Sequence, residues 1–156
     1  MSMILEIAAL VIVTFSAWRV LRRTRPDLPV GRVAAVVLGV YAAFLGGAHG
    51  VFELQQSGGA PDGIMINAIG DPCEPADEWH ACFPAMTVIP DIHAAGVLVL
   101  LTAASIFVWS VFFVQRPRGG PVLVALAVIF LLVGGGFFPP FYAIIGGIAR
   151  WRVKSA

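Results

Sequence analysis

The sequence predicts an all-α integral membrane protein: a bundle of four transmembrane helices with a structured extracytoplasmic loop between helices 2 and 3. Of its 156 residues, 59% are hydrophobic and only 12% are charged, too few charges to cover a soluble domain of this size. Four apolar stretches approach the roughly 20 helical residues that cross about 30 Å of hydrocarbon. A net charge of +1 gives no electrostatic footprint for nucleic acid, so the lipid bilayer is the expected partner.

The first two apolar segments cover about residues 3–21 and about residues 33–54. The N-terminal segment has the length of a secretory signal, but a signal carries basic residues before its apolar run. Here Arg22, Arg23 and Arg25 follow the run instead. The first segment is therefore predicted to be a retained helix with its N-terminus outside.

The third segment covers about residues 92–114, and the fourth begins at Pro121, a residue that is favoured at the first position of a helix. The fourth apolar run continues to residue 149, which would be about 43 Å as one helix. Pro139 and Pro140 follow three glycines and lack backbone donors, so they predict a helix break. We expect a crossing at about 121–138 and a broken continuation to 149 that kinks over the outer surface or extends beyond it. Nine apolar residues are too few to cross back.

The distribution of arginine and lysine predicts the orientation. Loops 22–32 and 115–120 contain several arginines, whereas loop 55–90 has neither arginine nor lysine and contains five acidic residues. Because basic residues concentrate in short cytoplasmic loops, loops 22–32 and 115–120 are expected in the cytoplasm and loop 55–90 outside, in a prokaryotic plasma membrane. The tail contradicts this rule, since Arg150, Arg152 and Lys154 would lie outside.

The connection at 55–90 is long for a loop, and its apolar residues and turn-forming glycines and prolines predict a structured outer cap. It contains both cysteines, Cys73 and Cys82. Outside the cytoplasm a disulfide is the default, and it would stabilise the cap by about 2 to 3 kcal/mol in the chain-entropy model. A zinc site formed by these cysteines and His80 is the alternative, although it lacks an evident fourth ligand.

A group of ionisable residues is predicted at one depth near the outer ends of the helices: Glu6, His49, Glu53, Asp91 and His93. The spacing of His49 and Glu53 places them on one helical face, and Asp91 precedes a helix that it can cap. Such residues inside membrane spans mark either function or a specific contact between helices. Three interpretations follow: structural roles for each side chain, a divalent transition metal or haem site, or a site that handles protons or a ligand.

Small residues recur at four-residue spacing on the second helix, at Ala42, Gly46 and Gly50. This pattern lets helix backbones approach closely. Packing within the bundle is the favoured interpretation, with homo-oligomerisation as the alternative.

The sequence contains no nucleotide-binding loop, serine hydrolase elbow or zincin motif. The favoured function is therefore a non-enzymatic binding or assembly module with a disulfide-closed outer cap, which binds a membrane protein partner or lipid. No cofactor is certain. The first alternative is a metal- or haem-binding redox protein that uses the His/carboxylate group. The second is a small proton-coupled carrier.

Overall fold

A computed structural model of the chain describes residues 11, 14, 15, 18, 19, 22, 30–55, 60, 61, 63–67 and 84–152. The described residues are mostly helical, which agrees with the predicted all-α class. Two helical stretches, Val30–Gln55 and Ile92–Phe113, are long and apolar enough to cross a membrane. They coincide with the second and third apolar segments of the sequence.

The described elements follow one another in a simple order. They are α1 (Val30–Gln55), β1 (Met65–Asn67), β2 (Pro84–Met86), α2 (Ile92–Val108), a π-helical turn (Trp109–Phe113), α3 (Gly119–Leu132) and α4 (Phe138–Arg152). The strands β1 and β2 form an antiparallel pair in which Ile66 lies opposite Ala85. Both side chains are buried. The short pair is the described part of the predicted cap.

Helix α1 is central: it packs along both α2 and α4, and α4 also packs along α3. Small residues permit these close approaches. A Cβ atom added to Gly50 would lie 3.0 Å from the carbonyl oxygen of Gly96 in α2, and a Cβ on Gly146 of α4 would lie 3.1 Å from the Cα of Ala35. Larger side chains at these positions would force the helices apart.

The small residues of the four-residue pattern on α1 pack against other helices of the same chain. Gly46 lies against the ring of Phe130 and the carbonyl of Gly135, and Gly50 lies against Val99 of α2. Ala42 is fully buried. These contacts use the four-residue pattern for packing within this chain.

The path of the C-terminal residues differs from the expectation. Helix α3 ends at Leu132, and α4 starts at Phe138, so α3 is shorter than the predicted segment 121–138 and the continuation is a separate helix; where each segment lies relative to the membrane stays a prediction. Helix α4 runs back along its neighbours, with Gly147 against Gly120 and Val124 of α3. The apolar run at 121–149 thus supplies two antiparallel helices instead of one long interrupted helix.

The physical reason for this difference lies at the proline pair. Pro139 and Pro140 occupy the first turn of α4, where backbone N–H groups have no intrahelical acceptor and proline loses nothing. The two prolines therefore begin a helix instead of breaking one. The chain reverses just before them, at residues 133–137.

The return of α4 brings Arg150 to the end of the stretch Ile92–Phe113. Its Nε donates to the carbonyl of Val114 at 3.1 Å, and one terminal nitrogen donates to the carbonyls of Gln115 and Arg116, each at 3.1 Å. The last carbonyls of a helix lack intrahelical donors, so the buried guanidinium caps this helix end. We call the part of the bundle around these contacts the arginine end, and the opposite part the Glu53 end.

Candidate functional site

The last turns of α1 carry two buried ionisable side chains. His49 is 2% exposed and Glu53 is fully buried. Their i, i+4 spacing places both on one face of the helix, and this face points toward the neighbouring helices. The pair forms the centre of the candidate site.

A turn of three consecutive glycines connects α3 to α4 and faces this pair. The N–H of Gly135 donates to the carbonyl of Phe130 at 2.9 Å, and Gly134 has a positive φ of 113°. This hydrogen bond and this φ define a Schellman motif, in which glycine is the usual residue after the helix C-cap. Gly136 also has a positive φ, at 81°. We refer to residues 134–136 as the glycine turn.

The glycine turn packs directly on the two ionisable side chains. A Cβ atom on Gly134 would lie 2.6 Å from the Oε1 of Glu53, and a Cβ on Gly136 would lie 2.9 Å from the Nε2 of His49. Glycine is therefore required at these positions for two reasons. The backbone is left-handed, and the carboxyl and the imidazole occupy the space that a side chain would need. The turn forms one wall of the site.

Helix α2 forms a second wall. A Cβ on Gly96 would lie 3.2 Å from the Cβ of Glu53, so the absence of a side chain at Gly96 lets Glu53 sit between α1 and α2. Gly96 is itself buried. The carboxyl group is thus enclosed by α1, α2 and the glycine turn.

The carboxyl of Glu53 has no hydrogen-bond donor within the described part of the chain. Both oxygens are buried, and no described residue donates a hydrogen bond to either of them. Burying an ionised carboxylate without such donors or a counter-charge costs several kcal/mol. A neutral carboxyl, or one neutralised by a bound cation, is the form that these surroundings tolerate.

The cap holds the glycine turn in position. The hydroxyl of Thr87 donates to the carbonyl of Val133 at 3.3 Å, and the N–H of Val88 donates to the carbonyl of Leu132 at 2.9 Å. These carbonyls belong to the C-terminal end of α3, where intrahelical donors are missing. The segment after β2 therefore fixes the end of α3 and the turn that follows it.

Asp91 and His93 lie at the N-terminus of α2. The Oδ1 of Asp91 accepts a hydrogen bond from the N–H of Ala94 at 2.7 Å, so Asp91 caps the N-terminus of α2 as expected. His93 is exposed, as is Asp91, whereas His49 and Glu53 are buried. Within the described ranges, no three His, Cys, Asp or Glu residues are grouped as metal ligands.

Several predicted residues lie outside the described part of the chain. They are Glu6 of the five-residue group, and Cys73, His80 and Cys82 of the cap. The disulfide and the zinc alternative therefore stay predictions, as does any contact of Glu6 with the site.

The sequence reasoning identified His49 and Glu53 but missed the glycine turn as part of their site. The three glycines entered the sequence analysis only as the residues before the predicted helix break. A signal was present, because the three glycines fall at the same end of the bundle as Glu53 in the predicted topology. Three adjacent residues without side chains at the depth of a buried carboxyl indicate that something large or polar occupies the space beside them.

Comparison of the chain with protein-family models, curated proteins and solved structures gives no match. The geometry of the site therefore carries the functional argument.

Proposed function

We propose that the protein is a non-enzymatic integral membrane module that takes up a proton at Glu53. The fully buried carboxyl of Glu53, which receives no hydrogen bond from any described residue, carries this proposal. A proton removes the charge that would otherwise be buried. His49, one turn earlier on the same helical face, is of the residue type that exchanges protons most readily near neutral pH.

The surface of the bundle supports a location in lipid. Large apolar side chains point away from the core on every long helix, among them Phe44, Leu101, Phe112, Ile129 and Ile145. Patches of this kind mark membrane or protein contacts. On α2, the hydroxyls of Thr102 and Ser105 donate to carbonyls of the preceding turn, at 2.7 and 2.8 Å. Polar groups in lipid need such internal acceptors.

The basic residues support a revised orientation. With α4 folded back, Arg150 and Arg152 lie near the loop that contains Arg116. The tail then no longer conflicts with the concentration of basic residues on the cytoplasmic side. We place the arginine end in the cytoplasm, the Glu53 end outside, and the C-terminal end of α4 on the cytoplasmic side. Helices α3 and α4, with 14 and 15 residues, form a short hairpin within the bundle.

A proton suits the site better than a metal ion. Zinc and similar metals take four or more ligands in structural sites and three protein ligands in catalytic ones, and His49 with Glu53 supplies two. Asp91 and His93, the predicted further ligands at the start of α2, are exposed. A bound metal or haem, the redox alternative, is therefore an outcome that would contradict the proposal.

Infrared spectroscopy tests the proposal because a protonated carboxylic acid has a carbonyl band that an ionised carboxylate lacks. We expect the detergent-purified protein at neutral pH to show one such band from a group shielded from solvent. The band should disappear in Glu53→Gln. Asp91→Asn is the matched control, since it removes an exposed carboxylate at the same end and should leave the band unchanged.

Two results would contradict proton uptake at Glu53. The first is a neutral-pH spectrum that is identical in the wild type and in Glu53→Gln. The second is a stoichiometric metal or a haem absorption spectrum that Glu53→Gln or His49→Ala removes. Metal analysis and a visible spectrum of the same preparation decide the second point.

A further inference from the structure

The arginine end contains an excess of positive charge within the described part of the chain. Its arginines are Arg32, Arg116, Arg118, Arg150 and Arg152. The only described acidic residues, Glu53 and Asp91, lie at the opposite end. The described residues therefore supply no carboxylate to neutralise these guanidinium groups.

Two of these arginines lie on neighbouring helices, since Gly146 of α4 packs against Ala35 of α1. Arg150 is 4% exposed and is fixed by the carbonyls of Val114, Gln115 and Arg116. The charge of Arg32 repels that of Arg150, so the first turn of α1 brings a second cation against a fixed one.

Arg32 has donor capacity that the described residues do not use. Its Nε is buried, and no described residue accepts a hydrogen bond from it. A planar guanidinium presents a fork of donors that matches the oxygens of a phosphate group. An anion bound here would accept from Arg32 and would reduce its repulsion with Arg150.

The surroundings of Arg32 and Arg150 favour a lipid as the source of the anion. Trp151 and Phe112 are 67% and 66% exposed at this end, and aromatic side chains concentrate at the level of lipid headgroups. Exposed Arg116, Arg118 and Arg152 add the basic surroundings that attract anionic lipids on the cytoplasmic side of a membrane.

We propose that Arg32, positioned beside Arg150 at the arginine end, binds the headgroup phosphate of an anionic phospholipid. This inference rests on the membrane location proposed above but not on the proton site at Glu53. The two proposals therefore fail independently: a variant of Glu53 leaves the lipid site intact, and a variant of Arg32 leaves the carboxyl site intact.

Native mass spectrometry of the purified protein in a neutral detergent tests the proposal. Phosphatidylglycerol and phosphatidylcholine are offered at equal concentration, and the ratio of the two bound lipids is measured. We expect the wild type to prefer phosphatidylglycerol. Arg32→Gln should reduce this preference about fivefold, which corresponds to ~1 kcal/mol for one basic residue near an anionic surface.

Three controls make the assignment specific. Arg32→Lys, which preserves the charge but lacks the planar fork of donors, should retain part of the preference. Arg118→Gln, at an exposed position of the same end, should reduce it less than twofold, and Glu53→Gln at the opposite end should not change it. Circular dichroism of each variant verifies that the helices are retained.

Each of the following results would overturn the proposal. The first is equal binding of both lipids by the wild type, which would decide the matter even if Arg32→Gln failed to fold. The second is an Arg32→Gln variant that folds and keeps the full preference. The third is displacement of phosphatidylglycerol by inorganic phosphate at the same concentration, which would show that the site recognises a free anion.

Discussion

Arg150 at the arginine end and Glu53 at the other end are both buried near a helix terminus, and their hydrogen bonding differs. At the arginine end, Arg150 donates to three backbone carbonyls at 3.1 Å. At the Glu53 end, the carboxyl of Glu53 is equally buried, yet no described residue donates to it. One side chain completes the hydrogen bonding of a helix end, whereas the other lies in a space formed by glycines.

This difference separates a structural role from a functional one. Arginine keeps its charge in proteins, and the carbonyls of Val114, Gln115 and Arg116 help to make the burial of Arg150 tolerable. A carboxyl can lose its charge by taking up a proton, so Glu53 needs no such partners when it is neutral. Polar groups that lack the matching hydrogen bonds merit a functional explanation, and the carboxyl of Glu53 is such a group.

The largest effect is expected when the cap at the arginine end is removed. Arg150→Met preserves much of the side-chain volume but leaves the carbonyls of Val114, Gln115 and Arg116 without this donor. Since hydrogen bonds to charged groups contribute about 1.5 to 3 kcal/mol each and are not additive, we expect the free energy of unfolding to fall by about 3 kcal/mol. Denaturant unfolding in detergent micelles, followed by circular dichroism, measures it.

Arg152→Met is the control for this prediction, because Arg152 is exposed two residues further along the same helix. Its effect should stay within about 0.5 kcal/mol. A similarly small effect of Arg150→Met would show that Arg150 does not cap the helix, and the contrast between the two ends would disappear.

A smaller effect is expected at the glycine turn. Gly134→Ala places a side chain at a φ of 113°, which costs about 1 to 2 kcal/mol, and moves the carboxyl of Glu53 that would lie 2.6 Å from the new Cβ. We expect a total loss of about 2 kcal/mol in unfolding free energy, measured in the same micelles.

Gly47→Ala is the matched control in α1. A Cβ at Gly47 meets only the Cβ of Ala103, at 3.7 Å, and alanine is favoured over glycine in a helix by up to about 1 kcal/mol. This variant should be neutral or stabilised. In a Glu53→Ala background, Gly134→Ala should become less costly, since the contact with the carboxyl is gone. An unchanged cost would mean that the turn does not pack on Glu53.

The sequence predicted the long helices well, because long apolar runs bounded by arginine and proline have few other solutions. Helix α1 and the stretch Ile92–Phe113 lie within three residues of the apolar segments at 33–54 and 92–114. The pair His49 and Glu53 was also identified, since a four-residue spacing fixes a common helical face.

The rest of the site required the structure for identifiable reasons. A common depth in the membrane does not determine the direction of a side chain around its helix, so the sequence could not predict that His93 is exposed on α2 whereas His49 is buried. The buried face of α2 presents Gly96 and Val99 instead. The proline pair was ambiguous, because proline is equally compatible with ending one helix and beginning the next.

Among the three test variants, the smallest change in stability is expected for Glu53→Gln, and it is the most informative one. Glutamine has nearly the shape of a protonated glutamate, so replacing a neutral carboxyl should alter the free energy of unfolding by no more than about 1 kcal/mol, against about 3 kcal/mol for Arg150→Met measured in parallel. If Glu53 is instead ionised and paired with a cation from elsewhere in the chain, Glu53→Gln should cost about 3 to 5 kcal/mol. A loss of that size would contradict proton uptake at Glu53.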